Sequence, residues 1–78
     1  MPVKKPLPDR KRTLSSRQKR VAELVSHGLK NREIALEMGI AAHVVRNYLT
    51  SIYDKVGVSN RVELALWYEA RKRRGDGF

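Results

Sequence analysis

The chain has no cysteine, which excludes disulfides, thiolate metal centres and cysteine nucleophiles. It holds one Phe and one Trp in 78 residues, enough for one small core and no more. No apolar run approaches the roughly 20 residues that span a bilayer, so no membrane partner is expected. The basic start lacks the apolar stretch of a secretory signal, and the expected compartment is the cytoplasm. His27 and His43 lie far apart, with no carboxylate at ligand spacing. Neither a metal nor a cofactor is expected. No Ser, His and Asp arrangement and no Gly-rich phosphate loop is present. Glu23, Glu33 and Glu37 sit at spacings that suit surface pairing with Arg and Lys. Neither an enzyme nor a small-molecule binder is expected.

Acids are scarce as well: eight against 17 Lys and Arg, for a net charge of +9. That excess suggests a polyanionic partner, and its distribution says more. Residues 1–12 carry Lys4, Lys5, Arg10, Lys11 and Arg12 against Asp9, together with all three prolines. They read as an extended basic arm. Residues 71–78 carry Arg71, Lys72, Arg73 and Arg74 against Asp76 and read as a basic tail. The domain between them, 13–70, holds eight bases and six acids. Basic tails alone bind polyanions without preference, so any sequence selectivity belongs to this nearly balanced middle.

Within it, Ala42 to Val56 splits cleanly into two faces when drawn as a helix. Val45, Leu49, Ile52 and Val56 fall at i, i+4, i+7 and i+11, one apolar stripe at helical period. His43, Arg46, Asn47, Thr50 and Asp54 repeat that spacing on another side. An arginine fork matches the two major-groove acceptors of guanine, and an asparagine amide matches adenine. Taken alone, such a helix also describes an ordinary solvated surface helix. The stretch before it separates the two.

Ser15 or Ser16 offers a cap for a helix over Arg17 to His27, with Val21, Leu24 and Val25 on one side and Gly28 as its stop. Asn31 is a cap for a second helix, Arg32 to Met38, with Ile34, Ala35 and Met38 facing inward. Gly39 ends it, Ile40 points back to the core, and the two-faced helix follows at once. Helix, tight glycine turn, helix is helix-turn-helix spacing. Ala35 supplies the small residue that closely crossed helices need. Gly57 closes the third helix, and Ser59 or Asn60 caps a fourth over Arg61 to about Arg73. This one carries a surplus: Leu64, Ala65 and Tyr68 form one stripe, Val62 and Leu66 begin another, and Trp67 is apolar too. The second stripe is either a contact for another chain or a face packed within the domain.

Four stretches now resemble the LuxR/NarL/FixJ/GerE-type helix-turn-helix domain: Leu14 to Gln18, Gly28 to Ala35, Val45 to Tyr48, and Ile52 to Arg61. The resemblance runs in order from about Thr13 to Tyr68. It implies an all-α, four-helix domain that binds double-stranded DNA as a homodimer. The third helix enters the major groove and the fourth pairs the subunits. Arg46, Asn47 and Thr50, with His43 beside them, match the base-reading positions. Lys55 matches a usual phosphate contact. Lys30, Arg32 and Arg61 are further phosphate candidates by charge and position. Val62, Leu66, Trp67 and Glu69 fall on the pairing helix, and RNA polymerase is a candidate partner of such a regulator.

The chain also departs from the family pattern. Ala41 stands where a capping Ser is usual, Val44 replaces a Thr, and Lys30 a Ser. Gln18 replaces a Glu, and Tyr48 a His. Two hydroxyl ligands for phosphate are thus missing. Either the basic tails compensate, or binding is weaker and more salt-dependent than in the family at large. The leading reading is a sequence-specific, dimeric DNA-binding transcription regulator. The alternatives are a sigma-factor-like promoter-recognition module and a small helical protein-interaction module that uses the fourth helix.

Overall fold

The computed structural model describes residues 13–75. The proposed N-terminal arm, 1–12, and the last three residues of the proposed tail lie outside them. Four helices follow one another: α1 (Ser16–Ser26), α2 (Asn31–Met38), α3 (Ala42–Val56) and α4 (Arg61–Arg74). No strand occurs among the described residues. None of these helices is long and apolar enough to cross a membrane.

Local chemistry sets most of the boundaries. Ser15 caps α1 in a reciprocal pair: its Oγ accepts the Gln18 N–H at 3.2 Å, and Gln18 Oε1 accepts the Ser15 N–H at 2.9 Å. Asn60 caps α4 by accepting the Glu63 N–H at 3.0 Å, while Glu63 takes the Ser59 N–H at 2.7 Å. The turn between α2 and α3 needs a residue at positive φ, and Gly39 adopts 68° there. Ile40 then donates its N–H to the Ala35 carbonyl at 3.0 Å, which closes the helix end and turns Ile40 inward. Gly57, at φ 80°, closes α3 in the same way through Val58.

Three boundaries differ from the sequence expectation by one residue: α1 runs Ser16–Ser26, with His27 as its C-cap, rather than Arg17 to His27, and α2 starts at Asn31 rather than Arg32. The cap of α2 is Lys30, and Asn31 is the first helical residue. The reason is a competing partner: the Asn31 side chain accepts from Arg61, while the Glu33 carboxylate takes the Lys30 N–H at 2.7 Å. A lysine side chain has no acceptor, so the capping falls entirely to Glu33.

The core is continuous. Val21, Ala22, Leu24 and Val25 of α1 meet Ile34 and Ala35 of α2, the Val45–Leu49–Ile52–Val56 stripe of α3, and Leu64 and Tyr68 of α4. Leu14, just before the cap of α1, is buried in the same cluster. α1 is the central helix, packed against the other three, and α2 lies across α3. α4 leans mainly on α1. The α2–turn–α3 unit is thereby held on one side of α1, with the outer face of α3 uncovered.

Candidate nucleic-acid interface

Every residue of the apolar stripe on α3 is buried, Val45 and Ile52 completely. Burying four branched side chains at about 1.5–3 kcal/mol each fixes the roll of the helix about its axis. With the roll fixed, the opposite side must face solvent. His43, Arg46, Asn47 and Thr50 are all exposed there. The side chains of His43, Arg46 and Asn47 have no hydrogen-bond or ion-pair partner among the described residues. Thr50 differs: its hydroxyl donates to the Arg46 carbonyl at 3.1 Å, one turn back. Its oxygen lone pairs and methyl group are what it has left to present.

Of the cations expected at phosphate, Lys30 and Arg32 are exposed, and neither side chain has a partner among the described residues. Lys55 is half-buried, and its ammonium donates to Gln18 Oε1 at 3.0 Å. That oxygen already accepts the Ser15 N–H, so one amide ties the end of α3 to the start of α1. Because Gln18 is neutral, the bond orients Lys55 without cancelling its charge. Arg61, grouped by the sequence with the phosphate contacts, is turned on the chain itself. Its guanidinium donates to the Leu29 carbonyl at 2.7 Å and to Asn31 Oδ1 at 2.9 Å. Arg20, on α1, is occupied by Glu23 at 2.8 Å and lies 3.8 Å from Glu37. Its hydrogen bond holds the Glu23 carboxyl below its ordinary pKa.

Two features beside the site escaped the sequence reading: the tie between Gln18 and Lys55, and the exposure of Leu36. Gln18, Val44, Asn47, Tyr48 and Ser51 line a shallow recess between the first turn of α1 and α3. Gln18 reaches it from 37 positions away from Lys55, and no local pattern announces such a pair. At the start of α3, Ala41 makes no side-chain capping bond, as its identity requires. Leu36, on the outer side of α2, is the most exposed large apolar residue among the described residues, and nothing in the helical pattern singled it out.

On α4 the expected pairing residues divide between two flanks. Val62 and Leu66 are each 66% exposed and border a groove with Val25, Ser26, Gly28 and Ala65. Glu69 follows Val62 and Leu66 at helical spacing. Trp67 stands about 100° around the helix from Leu66. It packs against the core, and the Arg71 guanidinium lies 5.0 Å from its ring centroid. The exposed flank therefore belongs to Val62 and Leu66, not to Trp67.

Comparison with known proteins adds a second line. Residues 12–68 match GerE, the luxR family of bacterial regulatory proteins. The chain is 46% identical over 50 residues to the transcriptional regulatory protein DesR of Bacillus subtilis (strain 168), covering 64% of this chain and 25% of DesR. It is 40% identical over 52 residues to the transcriptional regulatory protein UhpA of Escherichia coli (strain K12), covering 67% of this chain and 26% of UhpA. The probable HTH-type transcriptional regulator GfsR of Streptomyces halstedii is 43% identical over 53 residues, 68% of this chain and 22% of GfsR. The match thus spans about a quarter of the length of these relatives. The four-helix architecture, the α2–Gly39–α3 unit and the match over residues 12–68 agree: the chain belongs to the luxR family of bacterial regulatory proteins.

Proposed function

We propose that the chain is the sequence-specific, double-stranded-DNA-binding module of a transcription regulator, acting in the bacterial cytoplasm. The supporting observation is the outer face of α3: His43, Arg46 and Asn47 exposed and partnerless among the described residues, directly opposite a fully buried stripe. A helix held in this way fits the major groove, which admits one α-helix. Arg46 addresses guanine O6 and N7, and Asn47 addresses adenine N6 and N7. Thr50, its hydroxyl proton engaged by the Arg46 carbonyl, offers an acceptor to an amino group or its methyl to thymine. Lys30, Arg32 and Lys55 supply phosphate contacts, which carry affinity rather than sequence. Two copies pair on the duplex through the Val62–Leu66 flank of α4. RNA polymerase is the machinery such a regulator acts upon.

Selection of bound sites from a random duplex pool, followed by titration of the winning duplex, tests the reading. Arg46→Ala is expected to cost about 1–3 kcal/mol on the selected site and to relax preference at a single base pair. Equal weakening on selected and random duplex would remove Arg46 as a reader. Absence of any saturable duplex complex would overturn the proposal.

A further inference from the structure

Arg61 opens α4, yet its guanidinium is committed to the connector between α1 and α2. One nitrogen donates to the Leu29 carbonyl at 2.7 Å and the other to Asn31 Oδ1 at 2.9 Å. Those two residues flank Lys30, the cap of α2, whose side chain makes no capping bond. This helix start therefore depends on outside support. Glu33, within α2, takes the Lys30 N–H, and the Arg61 fork supplies the support from outside the helix. Arg61 is half-buried, so both bonds are partly shielded from water, and bonds to a charged donor are the stronger kind. It also borders the groove below Val62 and Leu66.

We infer that Arg61 is a positioning residue: a two-pronged clamp that fixes the first turn of α2 and, with it, the backbone from which Lys30 and Arg32 extend. It is not itself a phosphate ligand. The consequence for DNA rests on the proposed function, whereas the clamp is a property of the free protein. A cation held by phosphate and a cation holding a loop differ in two measurable ways. Removing a phosphate contact lowers the salt dependence of binding by about 0.9 in the log–log slope. Removing a clamp leaves the slope unchanged and weakens binding by one factor at every salt concentration. Lysine keeps the charge that a phosphate would need and loses the planar fork that the clamp needs.

The experiment compares the whole chain with its Arg61→Ala, Arg61→Lys and Asn31→Ala variants, by amide hydrogen exchange of the free protein and by titration of a selected duplex at several salt concentrations. Expected is roughly tenfold or faster exchange at residues 34–37, whose amides close the first turn of α2, in all three variants, with the core amides of α3 unchanged. Binding is expected to weaken in all three without a change of slope. Should Arg61→Ala unfold the whole domain, Asn31→Ala, which removes one prong's acceptor and leaves every charge in place, decides. Wild-type exchange at residues 34–37 in both Arg61→Lys and Asn31→Ala overturns the clamp. So does a slope reduced by about one in Arg61→Ala with Arg61→Lys behaving as wild type. If the wild-type chain forms no duplex complex, the proposed function fails, and the exchange data still test the clamp.

Discussion

At the scale of single residues, the two departures with the clearest physical effect are Ala41 and Gln18. Ala41 caps α3 without a side-chain acceptor, leaving the first amides of that helix to solvent. Its backbone is already extended, at φ −78° and ψ 152°, which is the conformation a serine cap adopts. Ala41→Ser is therefore expected to stabilise the fold by about 1 kcal/mol, read as a higher urea midpoint at constant m. An unchanged midpoint would mean that the first turn of α3 is satisfied without a cap. Gln18 is more instructive because stability and binding are expected to diverge there. Gln18→Glu turns a neutral hydrogen bond to Lys55 into an ion pair, a gain of at most about 1 kcal/mol for a partly exposed pair. The same change cancels the Lys55 charge, so the salt slope of duplex binding is expected to fall by up to about 0.9. A raised midpoint with an unchanged slope would show that Lys55 serves the fold and not the phosphate.

At the scale of elements, what was legible in the sequence is what depends on near neighbours. The α3 stripe follows from four residues within twelve positions, and the structure buries all of them. Gly39 and Gly57 act within one turn of themselves and could be read directly, and the caps were narrowed to Ser15 or Ser16 and to Ser59 or Asn60, of which the structure uses Ser15 and Asn60. What was not legible has the opposite character. The start of α2 moved by one residue because Arg61, 30 positions away, takes the Asn31 oxygen. Trp67 was grouped with Val62 and Leu66 because apolar type was visible in the sequence, whereas which flank of α4 meets α1 was not. Tyr68, on that inner flank, is 3% exposed, and burial pushes its phenol above the ordinary pKa of 10.0. A raised folded-state pKa means that the folded form resists losing the proton. The stability involved is complete below the unfolded pKa and is lost as pH rises through the folded one. Thermal melts at increasing pH are thus expected to show a steeper loss above about pH 10 in the wild type than in Tyr68→Phe. Parallel curves would mean that Tyr68 ionises in the fold as it does in water.

At the scale of the whole molecule, the proposed pairing of two copies raises the question of the conditions it needs. Val62 and Leu66 are each two-thirds exposed, so covering both contributes roughly 2–4 kcal/mol at the usual value for such side chains. Association in free solution costs about 4–15 kcal/mol in lost translation and rotation. The apolar flank alone falls short, and a chain of net charge +9 adds repulsion between copies. A duplex reverses both unfavourable terms: it screens the charge and holds two copies at high effective concentration. The expectation is a monomer in sedimentation at micromolar concentration and a two-fold complex on duplex carrying two half-sites about 10 base pairs apart. Leu66→Asp places a carboxylate in that flank at little cost to the fold, within about 0.5 kcal/mol for so exposed a position. It is expected to leave binding to a single half-site nearly intact and to abolish cooperativity between two. If cooperativity survives in Leu66→Asp, the copies meet elsewhere or the duplex alone couples them; if single-site binding collapses as well, α4 supports α3 more directly than its packing on α1 suggests.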